Sequence, residues 1–80
     1  MTCKLIAFGI ARDILGGKIS QISLNEPYTV QGLLETLKSE YPRFEDLASI
    51  KVAVNTEYAP MDLILGPDDE IVLIPPVSGG

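Results

Sequence analysis

The sequence predicts an α+β domain, a mixed β-sheet with one main helix packed on one face. Three observations carry this expectation. Short apolar runs suited to strands occur at 3–10, 18–24, 50–55 and 70–74. A single stretch of helical periodicity lies between the second and third runs, with Val30, Leu33, Leu34, Leu37 and Tyr41 on one face. Turn signals punctuate the rest: Gly16-Gly17, Asn55-Thr56-Glu57 and Gly66-Pro67-Asp68-Asp69.

The elements follow in order. Residues 3–10 form the first strand and 18–24 the second, paired across the Gly16-Gly17 turn. Ala11–Leu15 is expected to make a helical turn before that hairpin closes. Thr29 is suited to cap the main helix, because a threonine hydroxyl can accept from an otherwise unpartnered N–H of the first turn. Gly32 weakens that turn, and Pro42 ends the helix, since the residue before a proline avoids the α region. Phe44 and Leu47 are expected in a short helical turn closing over the core. Residues 50–55 give a third strand, Tyr58-Ala59 a short fourth and 70–74 the last.

The resulting order, ββαβββ, suits a β-grasp fold. In it the helix-containing crossover allows the last strand to lie parallel to the first. Side chains of a strand alternate between faces. Cys3, Leu5 and Ala7, Val52 and Val54, and Ile71 and Leu73 therefore belong together under the helix. Lys4, Lys51 and Glu70 mark the other face, which leaves Ile6, Phe8, Ala53, Val72 and Ile74 as an open apolar patch. A contiguous patch of this kind marks an interaction site.

Composition narrows the function. Eighty residues make one domain, 1–80, and 46% hydrophobic content is enough for a small core. A formal charge of −5 argues against nucleic acid and anionic membranes as partners. No Lys or Arg follows Lys51, so the C-terminal half is acidic; this charge serves solubility or, in a sharper reading, meets basic partners. The one cysteine, Cys3, begins an apolar run and is expected to be a buried hydrophobe. A lone cysteine fits a reducing compartment, and no secretory leader or membrane span is visible, so a cytoplasmic location is expected.

The usual catalytic sets are missing. With no histidine there is no Cys–His or Ser–His pair, no metal-ligand spacing occurs, and Gly16-Gly17 does not open a phosphate loop. The chain is not expected to act as an enzyme alone or to bind a cofactor or metal. Its last six residues, Pro75-Pro76-Val77-Ser78-Gly79-Gly80, offer a different group. The proline pair favours an extended path, and fully extended the six residues reach roughly 20 Å. Two terminal glycines would fit a channel too narrow for side chains. The reactive group is then the Gly80 α-carboxylate. An oxide is a poor leaving group, so this carboxylate needs adenylation by a separate ATP-using enzyme. Sulfur transfer would convert the adenylate to a thiocarboxylate.

Several of these segments resemble the small subunit of molybdopterin synthase, the MoaD sulfur-carrier family. They are Val52-Ala53-Val54-Asn55, Asp69-Glu70 with the strand after it, the Pro75–Gly80 end, and Phe8–Asp13 before a glycine turn. The resemblance implies a ubiquitin-like β-grasp fold. It implies that Gly80 is adenylated and thiocarboxylated by an activating enzyme drawing on a sulfur donor. It implies that the tail enters the large subunit of a heterotetramer and gives sulfur to the cyclic pterin precursor, building the molybdopterin dithiolene. By matched position it implies that Phe8, Tyr58 and Ile74 touch partners; Phe8 and Ile74 also follow from strand alternation. The alternatives are a sulfur carrier for thiamin or tRNA thiolation, a ubiquitin-like protein modifier, and a binding module with an inert tail.

Overall fold

The computed structural model describes residues 1–46 and 50–74 of the chain. Leu47 and the Pro75–Gly80 tail, both singled out from the sequence, lie outside the described residues. Five strands form one sheet in the order β2-β1-β5-β3-β4. They are β1 (Thr2–Ala7), β2 (Ile19–Ser23), β3 (Lys51–Val54), β4 (Glu57–Tyr58) and β5 (Ile71–Ile74). The central pair, β1 and β5, is parallel, and the β1–β2, β3–β5 and β3–β4 pairs are antiparallel. This is the mixed β-grasp sheet that the element order predicts.

The main helix, α2 (Val30–Glu40), packs Val30, Leu33, Leu34 and Leu37 into the core. Thr29 caps it as expected, its hydroxyl accepting from the Gly32 N–H at 3.0 Å. The helix ends before Pro42, and a 3-10 turn (Pro42–Asp46) follows. That turn buries Phe44 edge-on to Tyr41, with the ring centroids 6.2 Å apart. Gly32 does more than weaken the first turn. A Cβ there would stand 2.9 Å from the Pro27 carbonyl oxygen, so the loop entering the helix can lie this close only over a glycine.

Several boundaries differ from the sequence reading. The first strand stops at Ala7, not residue 10, because Phe8 caps a second helix, α1 (Gly9–Leu15). The turn expected at Ala11–Leu15 is thus a seven-residue helix that begins two residues earlier. Gly9, at φ 58°, supplies the backbone reversal that ends the strand. The observed order is therefore β-α-β-α-β-β-β, with α1 inside the first hairpin. The third and last strands are also shorter than expected, because Asn55 is taken by the β3–β4 turn and Glu70 by the approach to β5.

One core unites the layers. Cys3, Leu5, Ala7, Val52, Val54, Ile71 and Leu73 are buried against α2, as alternation predicts. Ile22 and Leu24, Ala11 of α1, Phe44, Ile50 and Leu65 complete it together with the buried face of α2.

Candidate functional site

The sheet face opposite α2 is built by register. Ile19 pairs with Ile6, Ile6 with Val72, Val72 with Ala53, and Ala53 with Tyr58. One apolar row therefore crosses all five strands. Each member is the alternation partner of a core residue, so the strands that bury one face must present the other.

The expected patch residues are not equally accessible. Ile6, Val72 and Ile74 are half-buried, whereas Phe8 is 47% and Tyr58 70% exposed. Ala53 departs from expectation: at 8% it is buried, although it stands outside the core cluster. Its methyl group lies low between its register partners Val72 and Tyr58, and larger neighbours on a pleated sheet cover so short a side chain. Lys51 and Lys4 are exposed on this face as predicted.

Sequence reasoning missed four exposed apolar residues: Ile10 at 41%, Ile19 at 59%, Met61 at 52% and Ile64 at 65%. Ile19 could have been found by following the hairpin register from Ile6. Met61 and Ile64 lie in the irregular 59–70 connection, where no periodicity signals a facing. Met61 helps line a groove of about 290 Å3 with Val30, Ile50, Lys51 and Tyr58.

The edge of the face is held by a side-chain network. The two-residue β3–β4 turn places Asn55 at φ 52° and Thr56 at φ 73°, the paired positive φ of a tight hairpin. Asparagine adopts this conformation readily. Asn55 Nδ2 donates to Asp69 Oδ1 at 2.9 Å, and its Oδ1 accepts from the Glu70 N–H at 2.9 Å. Asp69 Oδ2 accepts from the Gly66 N–H at 2.7 Å. The Gly66 N–H, followed by the Asn55 amide, holds the Asp69 carboxyl below the usual carboxylate range. This network fastens the turn after β3 to the start of β5, and so sets the strand that leads to the tail.

The chemistry of the described residues is that of a seat. Cys3 is buried, and burial pushes its thiol pKa up, which keeps it protonated and unreactive. The face offers aromatic and aliphatic contact around a strand whose last residue, Ile74, precedes the tail. Gly80 and Pro75–Gly79, the expected reactive end, lie outside the described residues.

Comparison with known proteins gives the same pattern in sequence and in fold. The ThiS family matches residues 5–80. The molybdopterin synthase sulfur carrier subunit of Arabidopsis thaliana is 32% identical over 78 residues, which cover 96% of this chain and 81% of that protein. Among solved structures, the putative molybdopterin converting factor, subunit 1, from Pyrococcus furiosus superposes with TM-score 0.84 at 27% identity, covering 96% of this chain and 99% of that one. SAMP1 from Haloferax volcanii superposes with TM-score 0.81 at 25% identity and full coverage of both chains.

Proposed function

Because the chain belongs to the ThiS family, we propose that it is the sulfur-carrier subunit of molybdopterin synthase. The observation that carries this reading is the match over nearly the whole chain to a molybdopterin synthase sulfur carrier subunit. The Gly80 carboxylate attacks the α-phosphorus of ATP on a separate activating enzyme, releasing pyrophosphate and forming an acyl adenylate. A donor that delivers sulfur at the sulfide level attacks the acyl carbon and displaces AMP, leaving a thiocarboxylate. The tail then enters the large subunit of a cytoplasmic heterotetramer, and the thiocarboxylate sulfur attacks the cyclic pterin precursor. Hydrolysis of the resulting thioester leaves the sulfur on the precursor and returns the Gly80 carboxylate, and two such transfers supply the dithiolene. The chain itself supplies the carrier group and the docking face. Phe8, Tyr58, Ile74, Ile6 and Val72 seat the partner, on the face that also holds Ile74, the residue before the tail.

Intact-mass spectrometry tests the carrier step. The chain is incubated with the activating enzyme, ATP and a sulfur donor. Replacement of one terminal oxygen by sulfur is the expected result; an unchanged mass overturns the reading. A variant with one residue appended after Gly80 should fold normally and fail to support molybdopterin formation. Retained synthesis in that variant would place the reactive group elsewhere. Isopeptide adducts on lysines of other proteins, in place of sulfur exchange, would make the chain a protein modifier instead.

A further inference from the structure

Cations frame the end of the open face from which the tail departs. Phe8 and Ile74 stand one residue beyond the last β1–β5 register pair, Ala7 with Leu73. On one flank, Lys18 Nζ lies 5.6 Å from the centre of the Phe8 ring, within reach of a cation–π contact. On the other flank, Lys51 is the register partner of Ile74 and is exposed. The row therefore runs Lys18, Phe8, Ile74, Lys51, positive at both ends and apolar between.

This arrangement runs against the charge of the whole chain, which is −5. The acidic run Asp68-Asp69-Glu70 enters β5 at its opposite end, where Asp69 is engaged with Gly66 and Asn55. The acids of α2 ride behind the sheet, and α1 carries Arg12 and Asp13 as a balanced pair. The side-chain hydrogen bonds among the described residues engage Gln31, Glu35, Thr29, Thr36, Asn55 and Asp69 and neither lysine.

We infer that this end of the face docks on a protein surface that sets carboxylates against Lys18 and Lys51, one on each side of an apolar seat for Phe8 and Ile74. The inference rests on the sulfur-carrier reading and names the surface chemistry of the subunit that receives the tail. The physical need is orientation. A threaded tail is a single axis, and an apolar seat is non-directional, so the carrier can rotate about that axis. Charges on opposite sides of the tail root fix the rotation and steer the encounter.

The test is the affinity of the full chain for the molybdopterin synthase large subunit of the same organism, at about 0.05 M and about 0.5 M salt, where screening changes severalfold. Lys51→Glu and Lys18→Glu are each expected to weaken binding about tenfold at low salt, with the deficit shrinking at high salt. Lys51→Gln, which keeps most of the side-chain length, should lose about threefold in the same salt-dependent way and stands in if the charge reversals perturb folding. Lys38→Glu, on α2 behind the sheet, should stay within about twofold of the unsubstituted chain. Equal responses of the Lys51, Lys18 and Lys38 variants, or losses insensitive to salt, overturn this inference and leave the carrier reading standing. Failure of the unsubstituted chain to bind the large subunit, with sulfur exchange at Gly80 also absent, overturns both.

Discussion

The two faces of the sheet are made by the same strands and put to different uses. Under α2, Leu5, Ala7, Ile71 and Leu73 are fully buried, and Val52 and Val54 nearly so. On the opposite face, Ile6, Val72 and Ile74 remain half-buried and Tyr58 is mostly exposed. Burial removes apolar area from water at about 25 cal/mol per Å2, so the covered face supplies stability. The uncovered face leaves part of that driving force unspent, available to association. Substitutions on the two faces should therefore separate folding from binding.

The largest expected effect is on the covered side. Phe44→Ala removes a fully buried ring from the core and should cost about 3–5 kcal/mol in denaturant unfolding. A loss of less than about 1 kcal/mol would show that the site collapses around the gap or that Phe44 is not part of the core. Gly32→Ala comes next. Helix propensity alone would make it stabilising by about 1 kcal/mol. The Cβ would instead meet the Pro27 carbonyl oxygen at 2.9 Å, so a net destabilisation of about 1–3 kcal/mol is expected from thermal or urea unfolding. A gain in stability would show that the loop yields freely.

Phe8→Ala sharpens the contrast from the open side. Its ring is 47% exposed, so unfolding stability should change by no more than about 1 kcal/mol. Affinity for the large subunit should fall by about 1–2 kcal/mol, the range of an aromatic contact at an interface. The reverse pattern, lost stability with intact binding, would move the docking face.

The smallest effect concerns the network at the sheet's edge. The folded-state pKa of Asp69 is depressed, chiefly by the Gly66 N–H and then by the Asn55 amide. Its contribution to stability is therefore present above the unfolded-chain value of about 3.9 and is lost as pH falls through the lower folded value. Asp69→Asn should flatten the acid end of a stability-versus-pH curve measured by urea unfolding. An unchanged slope there would show that the carboxylate is equally well solvated in both states.

Much of the architecture was legible because period-two alternation is a property of neighbouring residues. Cys3-Lys4-Leu5-Ile6-Ala7 assigns its own two faces, and Thr29 and Pro42 bracket the helix through local backbone chemistry. The end of β1 was less legible. Phe8-Gly9-Ile10 continues an apolar run, yet Gly9 adopts a positive φ and starts α1, a choice made by how the segment packs against β1 and β5. Ala53 was assigned to the correct face but not to its burial, because the height of its neighbours depends on which strands flank β3. The Asn55–Asp69 link spans residues far apart in sequence, and no local pattern announces it.

For the site, the placing of Phe8, Ile74, Ile6 and Val72 on one face was readable from alternation along single strands. The Gly80 carboxylate is proposed as the carrier group and lies outside the described residues. Tertiary structure alone decided that Ile19, Ile6, Val72, Ala53 and Tyr58 form one row, and that Lys18 and Lys51 stand at either end of Phe8 and Ile74. Alternation says which side of a strand a residue takes. Only pairing between distant segments says which residues become neighbours, because register is set by the packing of the whole sheet against its core.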